Sequence, residues 1–301
     1  YYDVVTKRLI PALGCYEMDD LNARVLQKFI VELSQHGNRR TERGLSPNSV
    51  NTVILVLHSS LSMAHVLGLT KEMYVDKIKR PKTSERTVES FSAEEQKRIE
   101  QAVLSDKRDK MFGVVLCLYT GLRIGELLAL EWSDIDFEHA LIHIQRTSQY
   151  IPKQGIIEDL TKNNSSQRAV AVSGSVLSML RVYKAHQAEQ RLKLGSAWNP
   201  AWTEHPRLFT QLDGTPINPD SVTKWFHAFI ARSDLPPIHI HSLRHTNATL
   251  QIAGGVPLTT VADRLGHSTP ATTTKVYSHA IQSANAAAAD TLERMLRVKQ
   301  A

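Results

Sequence analysis

The sequence predicts a mostly helical α+β protein with two domains, and three observations lead to this prediction. The chain has 301 residues, enough for two domains. Its first part shows only helical periodicity, whereas short alternating stretches typical of strands occur in the second part. We therefore expect a small all-helical domain over residues 1–80, a linker over 81–92, and a larger helical domain with a small antiparallel sheet over 93–301.

The first domain is predicted to contain two amphipathic helices. In "DDLNARVLQKFIVELSQHG" the apolar residues form one stripe, the acidic residues open the helix, and Gly37 closes it with a left-handed cap. The second helix begins with Ser46 as N-cap and Pro47 in its first turn, and it runs to Gly68. Its "VILVL" run at 53–57 is interpreted as part of the core, and no membrane span is expected.

A basic segment, "KIKRPKTSERTVES", occupies residues 77–90. It is polar, poor in apolar residues and broken by Pro81, which is typical of an interdomain linker. Its cations can follow a phosphate backbone, because such contacts are independent of base sequence, or they can belong to a solvated hinge. Both interpretations stay open. The residues singled out for DNA binding are Lys77, Lys79, Arg80 and Lys82.

The second domain is predicted to be helical at both ends, with strands between. Ser92 and Glu95 match a capping box that starts a helix. A loop-rich segment from Trp198, "WNPAWTEHPRLFTQLDGTPINPD", surrounds one short strand, and helices follow to the end. The remaining predictions are an apolar helix over 109–119, strands in "LIHIQRT" (141–147) and "RAVAV" (168–172) with "TKNNSSQ" as a turn, and a long helix over about 175–194.

Composition narrows the classes of function. A net charge of +6 and a pI near 9.3 suit a nucleic-acid partner. Cys15 and Cys117 give neither a disulfide framework nor a metal-binding pair, and we interpret them as buried thiols in a reducing cytoplasm. The many histidines lack an HExxH pattern or an acidic ligand cluster, so no metal site is expected. The chain lacks an initiator methionine, and we expect it to be part of a longer protein.

Two motifs combine arginine with residues that can hold it or act beside it. In "TGLRIGELLALEW", Arg123 begins a helix where it can bind an anion, and Glu126 one turn later can orient the guanidinium. The alternative is a surface ion pair that contributes little. In "HSLRHT", His241 and Arg244 share a helical face, whereas His245 is expected to turn away and be packed or hydrogen-bonded behind it.

Three further residues carry weaker individual signals. Lys162 lies in the predicted turn "LTKNNSSQR", where it is either an ordinary polar residue or a proton donor. His267 in "LGHST" lies where one helix ends and can donate to an oxygen. Tyr277 lies in a threonine-rich helix, either as a half-buried packing residue or, among arginines and a base, as a nucleophile toward phosphorus.

Taken in chain order, these motifs resemble the tyrosine recombinase (phage integrase) family. The resemblance lies in "TGLRxxE", a lysine in a turn, "HxLRH", "LGH" and a tyrosine ten residues later, and it covers nearly all of 93–280. The stretches "GLRIGELLALEWSDID" and "RLGHSTPATTTKVYSHA" are similar to integrases of Gram-positive phages and conjugative transposons. The resemblance implies the tyrosine recombinase fold, with residues 1–80 as a DNA core-binding domain and 93–301 as the catalytic domain.

The resemblance also implies the chemistry of the site. The two arginines would bind the non-bridging phosphate oxygens, and His267 would donate to the same oxygens. Lys162 would protonate the departing 5′-oxygen, His241 would help to deprotonate Tyr277, and the product would be a 3′-phosphotyrosine. Neither a metal nor another cofactor is expected, because the arginines supply the positive charge. The implied catalytic set is Arg123, Lys162, His241, Arg244, His267 and the nucleophile Tyr277, supported by Glu126 and His245.

The implied partner is double-stranded DNA at recombination sites, where four subunits would integrate and excise a mobile element in the bacterial cytoplasm, at the nucleoid. Accessory DNA-bending or excision proteins are expected partners. The tail after Tyr277 would dock on a neighbouring subunit or, alternatively, on its own domain, through Ile281, Ala288, Leu292 and Leu296.

The chain departs from the family pattern in its first part. Arm-site binding is not expected of this chain, because we expect the small arm-binding domain of this subgroup to lie outside it, and "LGLTKEMYVDKIK" lacks the usual Asn-Pro. The competing functions are a type IB topoisomerase-like enzyme and a non-catalytic DNA-binding regulator on the same fold.

Overall fold

The computed structural model describes residues 1–39, 41, 43–83, 90–105, 109–160, 167–267 and 274. Its described residues are mostly helical with small antiparallel sheets, which confirms the predicted fold class. The chain divides into two compact units, Tyr1–Arg86 and Thr87–Ala301. The functions assigned to the predicted domains stay predictions.

The first unit is an all-helical bundle with its own core. Helix α1 comprises Tyr2–Val4, a π-helical turn Val5–Leu9, and Ile10–Leu13. The sequence patterns did not indicate this helix. Helix α2 spans Ala23–His36, α3 spans Pro47–Val66, and a 3₁₀ turn spans Tyr74–Lys77. The fully enclosed side chains of this core belong to Leu26, Val50, Ile54 and Val75.

The ends of these helices agree with the sequence only in part. Ser46 caps α3 by accepting from a first-turn amide, and Pro47 follows it, as predicted. Helix α2 is capped by Asn22, which accepts from two amides, because the acidic residues lie before the helix in a 3₁₀ turn. Gly37 has φ −69°, so the predicted left-handed cap is wrong there. The left-handed glycine of this unit is Gly68 after α3, with φ +70°.

Helix α3 is a core element of the first unit. Among the described residues it is the one helix whose length and apolar composition suffice to cross a membrane. Its side chains Val53, Ile54 and Leu57 are buried against α2 and α1 residues, as interpreted for the "VILVL" run.

The second unit contains seven described α-helices. Ser92 Oγ accepts from the amide of Glu95, whose carboxylate accepts from the amide of Ser92, so the predicted capping box forms. The helices are α4 Ala93–Ser105, α5 Asp109–Thr120, α6 Ile124–Leu128, α7 Gly174–Leu194, α8 Pro219–Ile230, α9 Ile240–Ala253 and α10 Leu258–Leu265.

The described strands form two antiparallel sheets rather than one. One sheet has the order β1-β2-β5 and the other pairs β3 with β4. The strands are β1 Ile135–Asp136, β2 Leu141–Ile144, β3 Arg146–Ile151, β4 Gly155–Leu160 and β5 Arg168–Ala171.

Three strand predictions need correction. The stretch "LIHIQRT" is not one strand: it divides at Gln145, because Ile142 and Ile144 bury into the core whereas the chain beyond joins a separate hairpin. Strand β4 was not predicted. The short strand expected between Trp198 and Asp220 is reduced to isolated bridges, such as Thr210 with Pro216. The predicted turn that contains Lys162 lies outside the described residues.

The core of the second unit surrounds helix α5. Leu116 and Leu118 of α5 are fully buried in the same core as Phe226 of α8 and Leu243 of α9, and α5 packs against α9. Cys117 is also buried, which raises the pKa of its thiol to about 12. Cys15 is exposed in the turn after α1, so the prediction of two buried thiols holds for Cys117 alone.

Candidate active site

Arg123 and Glu126 form a pair at the start of helix α6. Glu126 Oε2 accepts from the backbone N–H of Arg123 at 2.9 Å, and its Oε1 accepts from Arg123 Nη1 at 2.8 Å. The side chain of Arg123 is 40% exposed, whereas Glu126 is buried. The carboxylate therefore holds the guanidinium from behind while part of the guanidinium faces solvent.

Arg168 is a component of this site that the sequence analysis did not single out. It stands at the first position of β5, and its Nη1 and Nη2 donate to the two oxygens of Glu126 at 3.1 and 2.9 Å. The side chain is nearly buried. The available signal was a charged residue opening an apolar strand, "RAVAV", directly after the predicted lysine turn.

Arg244 is buried, and it joins three elements of the second unit. Its Nη1 donates to the carbonyl oxygen of Gly121 at 2.8 Å, and its Nη2 donates to the carbonyl oxygen of Leu265. These acceptors lie before α6 and at the end of α10, while Arg244 itself lies on α9. The arginine therefore ties the Arg123 segment to the segment that carries His267.

The two histidines of "HSLRHT" lie against each other, so the expected separation of His245 is wrong. The rings of His241 and His245 meet edge to face, with centroids 4.9 Å apart. Residues four apart are neighbours on a helix surface, which explains the contact. His245 is half-buried and lies in the field of Arg244 and His267 as well. It belongs to the site, in contact with His241.

His267 reaches the site through the turn that ends α10. Gly266 adopts a left-handed conformation with φ +65°, and its carbonyl oxygen accepts from Arg123 Nη2 at 3.3 Å. The histidine amide donates back to Ala262 at 3.0 Å. The described part of the predicted set is therefore assembled in one place: Arg123, Glu126, His241, Arg244, His245 and His267.

Burial and neighbouring cations set the charges of this cluster. Burial lowers the pKa values of His245 and His267 to about 4, with further lowering by Arg244 in both cases. The pKa of His241 is lowered for the same reasons. Burial alone would raise the pKa of Glu126, but hydrogen bonds and attraction from Arg168 and Arg123 outweigh it and the pKa is lowered. Near pH 7 the site thus combines cationic arginines, one carboxylate and neutral histidines.

Stability is expected to decrease as the pH falls from about 6.5 to about 4. In this range the unfolded histidines, with an ordinary pKa of 6.5, bind protons that the folded His245 and His267 do not accept. Protonation therefore favours the unfolded chain. The check is the melting temperature at about pH 7 and about pH 5 for the parent, His245→Gln and His267→Gln. The drop between the two pH values should be smaller in each variant, and an unchanged drop in both contradicts the assignment.

The remaining predicted residues have separate outcomes. Lys162 and Tyr277 lie outside the described residues. In the basic segment, Lys77 is paired with Glu72 at 2.8 Å, and Lys79 is anchored to Gln27 through its backbone amide. The side chains of Lys79, Arg80 and Lys82 are exposed, and their contact with DNA stays a prediction.

Comparison with known proteins gives the family. The model of the phage integrase family matches residues 89–283. This match includes every described element of the site. The chain belongs to the phage integrase family. The family prediction from the motifs is thereby confirmed, and neither competing function is favoured.

Relatives of this phage integrase family member include recombinases and integrases. A XerC-like tyrosine recombinase of Caldanaerobacter subterraneus subsp. tengcongensis is 35% identical over 216 residues, which cover 69% of this chain and 54% of the relative. The ICEBs1 integrase of Bacillus subtilis is 28% identical over 265 residues, which cover 88% of this chain and 70% of the relative. The chain thus spans about half the length of the first relative.

Solved integrase structures share the fold. The Tn1549 transposon integrase in complex with transposon right-end DNA matches with a TM-score of 0.74 at 19% identity, covering 95% of this chain and 90% of that chain. The lambda integrase tetramer bound to a Holliday junction matches with a TM-score of 0.60 at 19% identity, covering 90% and 70%. The family member described here therefore has the tyrosine recombinase fold.

Proposed function

We propose that this chain is the core-binding and catalytic part of a site-specific DNA recombinase that integrates and excises a mobile element. One observation carries the proposal. Arg123 and Arg244 donate to the consecutive carbonyls of Gly266 and Leu265, immediately before His267, and His241 lies one turn from Arg244 on α9. Two guanidinium groups and two imidazoles thus lie around one small region, and arginine forks of this kind suit the oxygens of a phosphodiester.

The proposed reaction is a transesterification at phosphorus. The Tyr277 oxygen forms a bond to phosphorus, and the bond from phosphorus to the 5′-oxygen breaks. The proton of Tyr277 passes to His241, and the leaving 5′-oxygen receives a proton from Lys162. The arginines stabilise the charge that develops on the non-bridging oxygens. The 3′-phosphotyrosine retains an ester linkage, so a 5′-hydroxyl can reverse the step without ATP.

The lowered histidine pKa values support these roles. A neutral His241 has a free electron pair on one ring nitrogen, so it can accept the tyrosine proton near pH 7. A neutral His267 still carries one ring N–H and can donate it to a phosphate oxygen. Its charge is not required, because the arginines provide the cationic groups.

The partner we propose is double-stranded DNA, bound by a homotetramer in the bacterial cytoplasm at the nucleoid. The Tn1549 integrase in its complex with DNA and the lambda integrase tetramer on a Holliday junction support this assembly. We also propose that Lys77, Lys79, Arg80 and Lys82 contact phosphates, and that accessory DNA-bending or excision proteins take part.

The tail beyond Ala280 is proposed to dock on a neighbouring subunit. Truncation after Ala280 is expected to weaken assembly on DNA with two sites more than binding to one site. Gel-shift titrations with one-site and two-site duplexes measure both quantities. Equal assembly by the truncated and full chains contradicts the tail proposal.

The experiment that tests the function is cleavage of a nicked suicide duplex that carries the element's end, in EDTA, followed by SDS. Because of the nick, the cleaved-off short fragment that carries the 5′-hydroxyl diffuses away. The step then cannot reverse, and the covalent product accumulates. We expect an SDS-stable protein–DNA adduct whose modified peptide contains Tyr277. Tyr277→Phe should form no adduct, whereas Tyr150→Phe, at an exposed tyrosine on β3, should react like the parent.

The outcomes separate the functions. An adduct that requires Tyr277, followed by strand exchange with a second duplex, supports the recombinase. Relaxation of supercoiled plasmid without strand exchange indicates topoisomerase-like activity. Site-specific binding without an adduct indicates a regulator, and an adduct that survives in Tyr277→Phe overturns the assignment of the nucleophile.

A further inference from the structure

Three consecutive backbone carbonyls at the end of α10 each accept a hydrogen bond from a different arginine. Arg168 Nε donates to the oxygen of Arg264 at 2.7 Å. Arg244 Nη2 donates to Leu265, and Arg123 Nη2 donates to Gly266 at 3.3 Å. The end of this helix therefore contacts both arginines of the proposed reaction and a third arginine.

The backbone of the turn leaves these three carbonyls available. The amides of Gly266 and His267 donate to Asp263 and Ala262, which is the pattern of a Schellman motif around a left-handed glycine. The carbonyls that follow have no partner within the helix. Cationic side chains at this end also interact favourably with the helix dipole. The arginines thus complete the hydrogen bonding of the turn that carries His267.

Arg168 is the arginine of this set without a role in the proposed reaction. Its side chain is nearly buried, and each of its three guanidinium nitrogens already donates to an acceptor within the protein. Its Nη1 and Nη2 donate to the two carboxylate oxygens of Glu126, while its Nε donates to the carbonyl oxygen of Arg264 at the end of α10. One side chain therefore fixes both the carboxylate that holds Arg123 and the turn that carries His267.

The ion pair between Arg168 and Glu126 matters because the carboxyl group of Glu126 is buried. Burial favours the protonated carboxyl group, and the hydrogen bond from Arg168 is the largest of the interactions that favour the carboxylate instead. If Glu126 were protonated, it would lose much of its attraction for Arg123. Arg123 would then retain Gly266 as an acceptor but lose its firm support from the carboxylate.

We propose that Arg168 is a positioning residue that holds the Glu126 carboxylate and the end of α10 in place, and so sets the orientation of Arg123 and His267. The proposal rests on the proposed function. It assigns Arg168 no contact with the reacting atoms.

The test is a double-mutant cycle of Arg168→Gln and Glu126→Gln, measured as the rate of adduct formation at saturating protein. Arg168→Gln is expected to slow the step by about 10- to 100-fold, because small misplacements of catalytic groups have effects of this size. DNA affinity should change little. The double variant should be no slower than the slower single variant, because both changes remove the same support for Arg123.

The pH profile and a conservative variant separate positioning from general stability. Adduct formation by Arg168→Gln should decrease toward acidic pH relative to the parent, because Glu126 then takes up a proton at higher pH. Arg168→Lys keeps the charge but cannot span both carboxylate oxygens and the helix end, so it should recover only part of the rate. Arg264→Gln is the matched control, since this neighbouring arginine donates to Ala171 and not to Glu126.

A readout that does not depend on activity separates this proposal from the proposed function. The side-chain Nε–H signal of Arg123, observed by NMR, should show faster guanidinium motion in Arg168→Gln and no change in Arg264→Gln. If the parent forms no adduct, the function fails and the NMR comparison still tests positioning. Parent-like rates across pH, additive effects in the cycle, or an unchanged Arg123 signal would each overturn the role of Arg168.

Discussion

Arg244→Lys is expected to reduce adduct formation by about 10²- to 10³-fold, the size of effect found when one donor to a developing oxyanion is removed. The arginine fork donates to Gly121 and Leu265 from its two Nη atoms. A lysine ammonium is a point charge on a flexible stem and cannot reproduce this geometry. The variant keeps the positive charge at position 244 but loses the fixed orientation of the two Nη donors. The measurement is single-turnover cleavage of the suicide duplex at saturating protein.

The same substitution is expected to lower stability by about 1–3 kcal/mol, because a buried carbonyl loses its donor. Thermal unfolding measured in parallel shows whether the lysine variant is folded under the assay conditions. Arg181→Lys is the control, since Arg181 is exposed on α7 and lies over the Phe137 ring. Cleavage by Arg244→Lys at the parent rate would contradict the role of the fork.

Gly121→Ala is expected to destabilise the second unit by about 2–4 kcal/mol, through left-handed backbone strain and overpacking. Gly121 has φ +69°, and an added Cβ would lie 2.6 Å from Leu265 Cδ2 and 2.8 Å from Asn247 Oδ1. Its carbonyl also accepts from Arg244. The substitution should therefore reduce adduct formation as well as stability, even at temperatures where the protein is folded. Chemical denaturation and single-turnover cleavage measure the two effects.

Gly255→Ala is a matched control for this strain. Gly255 has φ +83° with open space around its Cα, so an alanine there meets the conformational cost alone, about 1–2 kcal/mol. It should leave cleavage by the folded protein unchanged. Equal destabilisation by the two substitutions would show that contact with Leu265 and Asn247 contributes nothing.

The site combines a partly exposed arginine with buried groups that hold it in place. Arg123 is partly exposed and available to a phosphate, while Glu126, Arg168 and the end of α10 hold it from the protein side. Arg244 is more deeply placed and connects the three segments that supply Arg123, His241 and His267. Preorganisation of this kind would let the charges act without rearrangement during the proposed reaction.

The sequence by itself determined the family, the helical character of both units and the six described site residues that the motifs contain, but not Arg168. These depend on local signals: the cap at Ser46, the capping box at Ser92, and the spacing of His241 and Arg244. Local hydrogen bonds and helical periodicity act over a few residues, so their patterns can be recognised along the chain.

Only the tertiary structure decided which groups meet across the chain. Arg168 is 42 residues from Glu126 and 96 from Arg264, and no local pattern records either contact. The division of "LIHIQRT" at Gln145 depends on which segments pair with each part. The contact of His245 with His241 needed the actual ring orientations. Such outcomes follow from packing and from the need to satisfy buried charges and carbonyls, which involve partners distant in sequence.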